Sequence, residues 1–195
     1  MDLAAKNETF KRSKIHPKKF ALGVACASIV MMFVALSSAY MVREAQGNWV
    51  EFAIPNKFFF STAALLLSSL ALHTSYFFFK KEQTVLYRSL LVTAFFLGLA
   101  FVAFQYQGWN QIMVEAGLPL GANPSADFVY AITFLHAAHV LGGLIVLIMA
   151  MIHAFYLKHR VTDRRKLRFE MTILYWHFID FLWLYLLLFL IFHKM

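Results

Sequence analysis

Between residues 20 and 42 the chain carries no Asp, Glu, Lys or Arg, and charge-free runs of similar length recur at 58–79, 89–106 and 128–157. A fifth run, 173–193, is interrupted only by Asp180. A helix crossing a hydrocarbon layer of about 30 Å needs about 20 such residues, because a backbone in lipid must satisfy its own N–H and C=O groups. The pattern predicts an all-α, polytopic membrane protein with five transmembrane helices, at about 20–42, 58–79, 87–107, 128–157 and 172–193. A basic tail over residues 1–19 is expected to precede a membrane domain over 20–195. With 61% apolar and 14% charged residues, the chain has too few charges to clothe a soluble domain of ordinary surface.

The basic residues sort by connection. The first tail holds Lys6, Lys11, Arg12, Lys14, Lys18 and Lys19; the second connection holds Lys80, Lys81 and Arg88; the fourth holds Lys158, Arg160, Arg164, Arg165, Lys166 and Arg168. These fifteen lie on one side of a five-helix protein, and Arg43, Lys57 and Lys194 on the other. The positive-inside rule then predicts a cytoplasmic N-terminus and an external C-terminus. The first apolar run exceeds the 7 to 15 residues of a signal-peptide core, so it reads as a helix that stays. A net charge of +8 is topological here, because the cations punctuate apolar runs and form no stripe for nucleic acid. The third connection, with Gly108, Gly117, Pro119, Gly121, Asn123 and Pro124, reads as an outer loop. Helix starts are expected at Pro55-Asn56 and at Pro124 with Ser125 and Asp127.

Ionisable groups inside a membrane span are costly and informative. At 100° per residue Glu170, His177 and Asp180 share an arc of about 80°, and His136, His139 and Gly143 one of about 60°. Gly142-Gly143 permits close approach of another helix. Counting depth from the helix ends brings His139 level with Asp180, so a histidine of the fourth helix is expected to hydrogen-bond that carboxylate. Two histidines three apart with a carboxylate can ligate a metal, but the eight histidines are spread along the whole chain. A proton path is a second reading; against it, the first and third runs offer no ionisable partner. The third reading is that these groups make helix-to-helix hydrogen bonds or touch lipid headgroups, with His73 reaching toward the interface. Ser61, Thr62, Ser68, Ser69 and Thr133 read as packing hydroxyls. The lone Cys26 excludes an internal disulfide or a cysteine-ligated metal centre.

The run Tyr175-Trp176-His177-Phe178-Ile179-Asp180-Phe181-Leu182-Trp183, with Phe169-Glu170 before it, resembles the last helix of subunit III of haem-copper (cytochrome c) oxidases. His136-Ala137-Ala138-His139-Val140, followed by Gly142 and Gly143, resembles an H-x-x-H-V-x-x-G stretch in the preceding helix of that family, and Pro55-Asn56 with Leu65 to Ser69 and Gln105 with Trp109 match in order. The familiar long form has seven helices, so the chain is similar to a short bacterial form lacking the first two. Gly108 and Lys57 depart from the family's glutamate and threonine and inherit no role.

The resemblance implies a non-catalytic subunit that binds neither haem nor copper, those cofactors belonging to its partners. It implies contact with subunit I above all and with subunit II, structural phospholipids, support for proton uptake into subunit I, protection against turnover-linked inactivation, and residence in a bacterial cytoplasmic membrane. The residues expected to form a lipid-binding or structural polar cluster are His73, His136, His139, Glu170, Trp176, His177 and Asp180; Glu51 and Trp183 are expected to touch subunit I. An accessory subunit of a quinol oxidase or nitric oxide reductase complex, or an independent proton-coupled transporter, is the alternative.

Overall fold

The computed structural model describes residues 16–156 and 161–193, which form five helices: α1 (Pro17–Glu44), α2 (Asn56–Lys80), α3 (Thr84–Val114), α4 (Pro124–Tyr156) and α5 (Asp163–Phe192). Each is long and apolar enough to cross a membrane. Most of the basic tail, together with Lys158, Arg160 and Lys194, lies outside the described residues.

The helices outrun the charge-free segments. α3 continues through Gly108 to Val114, and α5 begins at Asp163. A charge-free run marks the hydrocarbon, whereas i to i−4 backbone bonding continues wherever propensity allows, into the headgroup layer and beyond. Gly108, expected in a loop, is helical, because its missing Cβ is where the Phe58 ring of α2 lies against α3. The caps differ as well. α2 starts without a side-chain cap, and the start of α4 is capped by Asn123, whose Oδ1 accepts from the Ser125 N–H at 3.0 Å and its hydroxyl at 2.7 Å. Asp127 instead accepts from the Gly121 N–H at 2.7 Å, holding that glycine at φ +84°.

α2 and α3 form an antiparallel pair with the most extensive contact in the bundle. α4 lies against α3, α5 bridges α4 and α2, and α1 rests on α4 and α5 without substantial contact to α2. The core runs through Phe33, Phe58, Phe101, Trp176 and Trp183, all buried. Hydroxyls join α2 to α3: Ser68 Oγ, expected as a packing hydroxyl, donates to Ala94 O at 2.7 Å, and Ser75 Oγ, which the sequence did not single out, donates to Tyr87 O at 2.9 Å. Such interhelical bonds contribute about 0.6 kcal/mol each in a membrane. The Trp176 ring is wedged among three helices. A Cβ on Gly98 of α3 would stand 3.0 Å from it, and one on Gly143 of α4 would stand 2.9 Å from it. This is the close approach expected of the glycine pair.

Candidate functional site

One end of the bundle carries the cations Lys19, Lys80, Arg88, Arg165 and Arg168 and is called the basic end below. There Glu170 of α5 gathers Lys19 Nζ of α1 at 2.5 Å and the Tyr76 hydroxyl of α2 at 2.6 Å, while Lys80 Nζ lies 4.7 Å from the Tyr76 ring centre. At the other end of the same helix pair His193 Nδ1 faces Glu44 Oε2 at 3.3 Å. The lightly packed α1 is thus fastened to its parallel neighbour α5 at both ends.

Two turns further in, the α2–α5 seam brings together His73, Ser69, His177 and Asp180. Ser69 Oγ is 2.5 Å from His177 Nδ1, and His177 Nε2 is 3.4 Å from His73 Nδ1. A serine proton given to Nδ1 leaves Nε2 to carry its N–H toward His73, so the trio is a consistent hydrogen-bond chain. Asp180 sits beside it, one oxygen 3.7 Å from His177 Nδ1. It is 5% exposed, and neither carboxylate oxygen has a hydrogen-bond partner among the described residues.

The fourth-helix histidines do not reach this group. His136 is fully buried among Phe33, Phe101 and Trp183, its ring 5.1 Å from that of Trp183, and neither ring nitrogen has a hydrogen-bond partner among the described residues. His139 turns Nδ1 back to its own helix, 2.7 Å from Leu135 O. The expected histidine bond to Asp180 from α4 is therefore corrected: the neighbours are His177 and Ser69. Helical periodicity orders side chains around one axis but leaves open how neighbouring helices are rotated against each other.

Trp176 lies in the core, and so does Trp183, whose Nε1 donates to Thr62 Oγ1 at 2.8 Å. Trp183, expected at a contact with subunit I, is fully buried among this chain's own helices. Glu51 is exposed in the connection between α1 and α2. The expected single cluster is in fact three places: Glu170 at the basic end, the His73–His177–Asp180 seam, and the aromatic core around His136. Ser69 and Tyr76, taken as an ordinary packing hydroxyl and passed over respectively, share with His73 a 60° arc of α2 that would have marked them.

A cleft of about 670 Å³ opens between α4 and α5. Val146, Met149 and Met171 contribute apolar walls, and His153, Arg165 and Arg168 stand at its basic end. Arg168 Nη1 lies 3.4 Å from His153 Nε2. An apolar slot with guanidinium groups at one end has the chemistry of an acyl chain below an anionic head. No apolar-run argument singles it out, because it is defined by space between helices.

Fold and site together define a polytopic helical membrane protein whose polar groups join its helices and whose α4 and α5 border an apolar cleft with arginines at one end. Among the described residues, no group of three or more His, Cys, Asp or Glu is placed to hold a metal ion. The family model described as cytochrome c oxidase subunit III matches residues 18–195. Similar proteins include the cytochrome bo(3) ubiquinol oxidase subunit 3 of Buchnera aphidicola, 28% identical over 91% of this chain and 92% of the relative. The cytochrome c oxidase subunit 3 of Alkalihalophilus pseudofirmus is 31% identical over 66% of this chain and 61% of the relative. The probable cytochrome c oxidase subunit 3 of Nocardia farcinica is 28% identical over 81% and 79% respectively. The chain belongs to the cytochrome c oxidase subunit III family, the non-catalytic third subunit of haem-copper oxidase complexes.

Proposed function

We propose that this chain braces subunit I of a haem-copper terminal oxidase, with subunit II as a further neighbour, in a bacterial cytoplasmic membrane and with its N-terminus in the cytoplasm. The family match over residues 18–195 carries this reading. The segregation of Lys and Arg to one set of connections supports the orientation. The basic end then faces the cytoplasm, and the α4–α5 cleft holds a phospholipid of the inner leaflet with its phosphate at Arg165 and Arg168. Glu170, Tyr76 and the His73–His177 pair form a polar line along α2 and α5 that supports proton uptake into subunit I. Haem and copper reside in the partners. The bo(3) relative favours, as a second reading, the same role in a quinol-fed complex.

Affinity purification through this chain tests the reading. Haem-bearing subunits are expected to come with it in fixed proportion, and a stable homo-oligomer without haem would overturn it. Within that complex, charge reversal by Arg165→Glu with Arg168→Glu is expected to remove at least one phospholipid per complex, counted as phosphorus per haem, and to leave the haem spectrum unchanged. An unchanged phosphorus count would place the lipid elsewhere.

A further inference from the structure

At the end opposite the basic one, α3 outruns its apolar segment while α2 begins close to its own. Residues 107–114 of α3 lie beyond the charge-free run 89–106, whereas only Asn56 and Lys57 of α2 precede the run 58–79. At about 1.5 Å per residue the end of α3 therefore stands about 12 Å out of the hydrocarbon, through a headgroup layer of roughly 5 to 7 Å. A recess of about 540 Å³ lies between that end and the start of α2. Its α3 wall is polar: Gln107, Asn110 and Gln111, with Glu115 just past the helix, fall within an arc of about 140°. Phe60 of α2 borders the recess, 58% exposed, and its ring lies 6.2 Å from that of Phe104 of α3. Both rings belong to charge-free runs, so the hydrocarbon begins where they stand.

Two opposite charges share this recess without neutralising each other. Lys57 forms no ion pair among the described residues, and its Nζ stands 6.0 Å from the Phe60 ring centre. Glu115 accepts from the neutral Gln111 amide at 2.8 Å and likewise meets no cation among the described residues. Unpaired charges of both signs at headgroup level, beside an exposed aromatic ring, are complementary to an amphiphile whose head carries a phosphate and an ammonium. The carboxylate adds a selection, because it needs N–H bonds to accept. A trimethylammonium has none to give, and a glycerol head has no cation.

We infer that this recess is a separate lipid site, which takes a phosphatidylethanolamine headgroup from the leaflet opposite the basic end, with its phosphate on Lys57, its primary ammonium on Glu115 and its chains running past Phe60. It differs from the α4–α5 cleft in leaflet and in headgroup, and it stands whether or not that cleft is occupied. A phosphate joined to a primary ammonium also occurs in soluble glycerophosphoethanolamine. The exposed ring at the hydrocarbon boundary favours the form that carries chains.

Competitive lipid retention decides it. The full chain, with whatever subunits accompany it, is purified in mild detergent containing equal amounts of phosphatidylethanolamine, phosphatidylcholine and phosphatidylglycerol. Mass spectrometry then counts each retained lipid per mole of this chain. The native protein is expected to retain phosphatidylethanolamine at least several-fold over phosphatidylcholine. Lys57→Gln is expected to lower retained phosphatidylethanolamine, and Glu115→Gln to bring its ratio to phosphatidylcholine close to unity, with unchanged elution in gel filtration showing that both variants fold. A native protein without the preference, or either variant retaining lipid as the native protein does, would overturn the inference. Glycerophosphoethanolamine added at the lipid's concentration is expected to displace nothing; displacement would make the occupant a soluble zwitterion and overturn the lipid assignment. Phosphorus lost on reversal of Arg165 and Arg168 reports on the α4–α5 cleft alone, so failure at Lys57 and Glu115 leaves that reading standing.

Discussion

Trp176→Ala is expected to lower the unfolding free energy of the purified protein by on the order of 3 kcal/mol. The side chain is 1% exposed and fills the space among α3, α4 and α5, so its removal leaves a cavity that three helices must close together. In lipid the water-transfer part of such a cost is small, since the alternative surroundings are also apolar, but the lost dispersion contacts remain. A melt in detergent followed by circular dichroism, or retention of the chain in the complex on heating, measures the loss. A shift within error would show that the wedge is not what spaces these helices.

The adjacent glycines of α4 are expected to respond with opposite signs. Alanine at either position gains up to about 1 kcal/mol of helix propensity. At Gly142 the added methyl meets only the Tyr175 hydroxyl, at 3.6 Å, so the gain survives and Gly142→Ala is neutral or stabilising. At Gly143 the methyl would stand 2.9 and 3.0 Å from the rigid Trp176 ring and 3.2 Å from Ile179, and overpacking of this kind costs about 1 to 3 kcal/mol. The clash outweighs the propensity. The same melts read the difference, and a double-mutant cycle sharpens it: in a Trp176→Ala background the penalty of Gly143→Ala should largely vanish. Equal effects at both glycines would contradict the close packing described for α4 and α5.

These two results bear on how the protein works, because its contribution is positional. A rigid α3–α4–α5 wedge keeps the α4–α5 cleft open beside it and holds α5 so that His177 and Asp180 point into the α2 seam. If the proposed phospholipid occupies that cleft, loosening the wedge is expected to lower the phosphorus count per haem as the arginine reversals do.

Much of this was legible in the chain. Four charge-free runs of some twenty residues and a fifth broken only by Asp180 identify the spans, since an unpaired backbone polar group or side-chain charge in hydrocarbon is too expensive for any other arrangement. The three-residue spacing of His177 and Asp180 already placed them side by side, and the Gly142-Gly143 pair announced a close helix contact. The ends of α3 and α5 were less legible, because polarity marks where the hydrocarbon stops and not where helical hydrogen bonding stops.

What the sequence by itself determined is local and one-dimensional: which segments are helical, which lie in lipid, and which residues share one side of each helix. Only the tertiary structure decided that His136 faces aromatic rings instead of Asp180, that Trp183 is interior, and that a basic-rimmed cleft separates α4 from α5. The reason is physical. The rotation of one helix against another is set by the interlocking of bulky and small side chains across all their contacts at once, with Trp176 seated between Gly98 and Gly143, and no periodicity within a single helix encodes it.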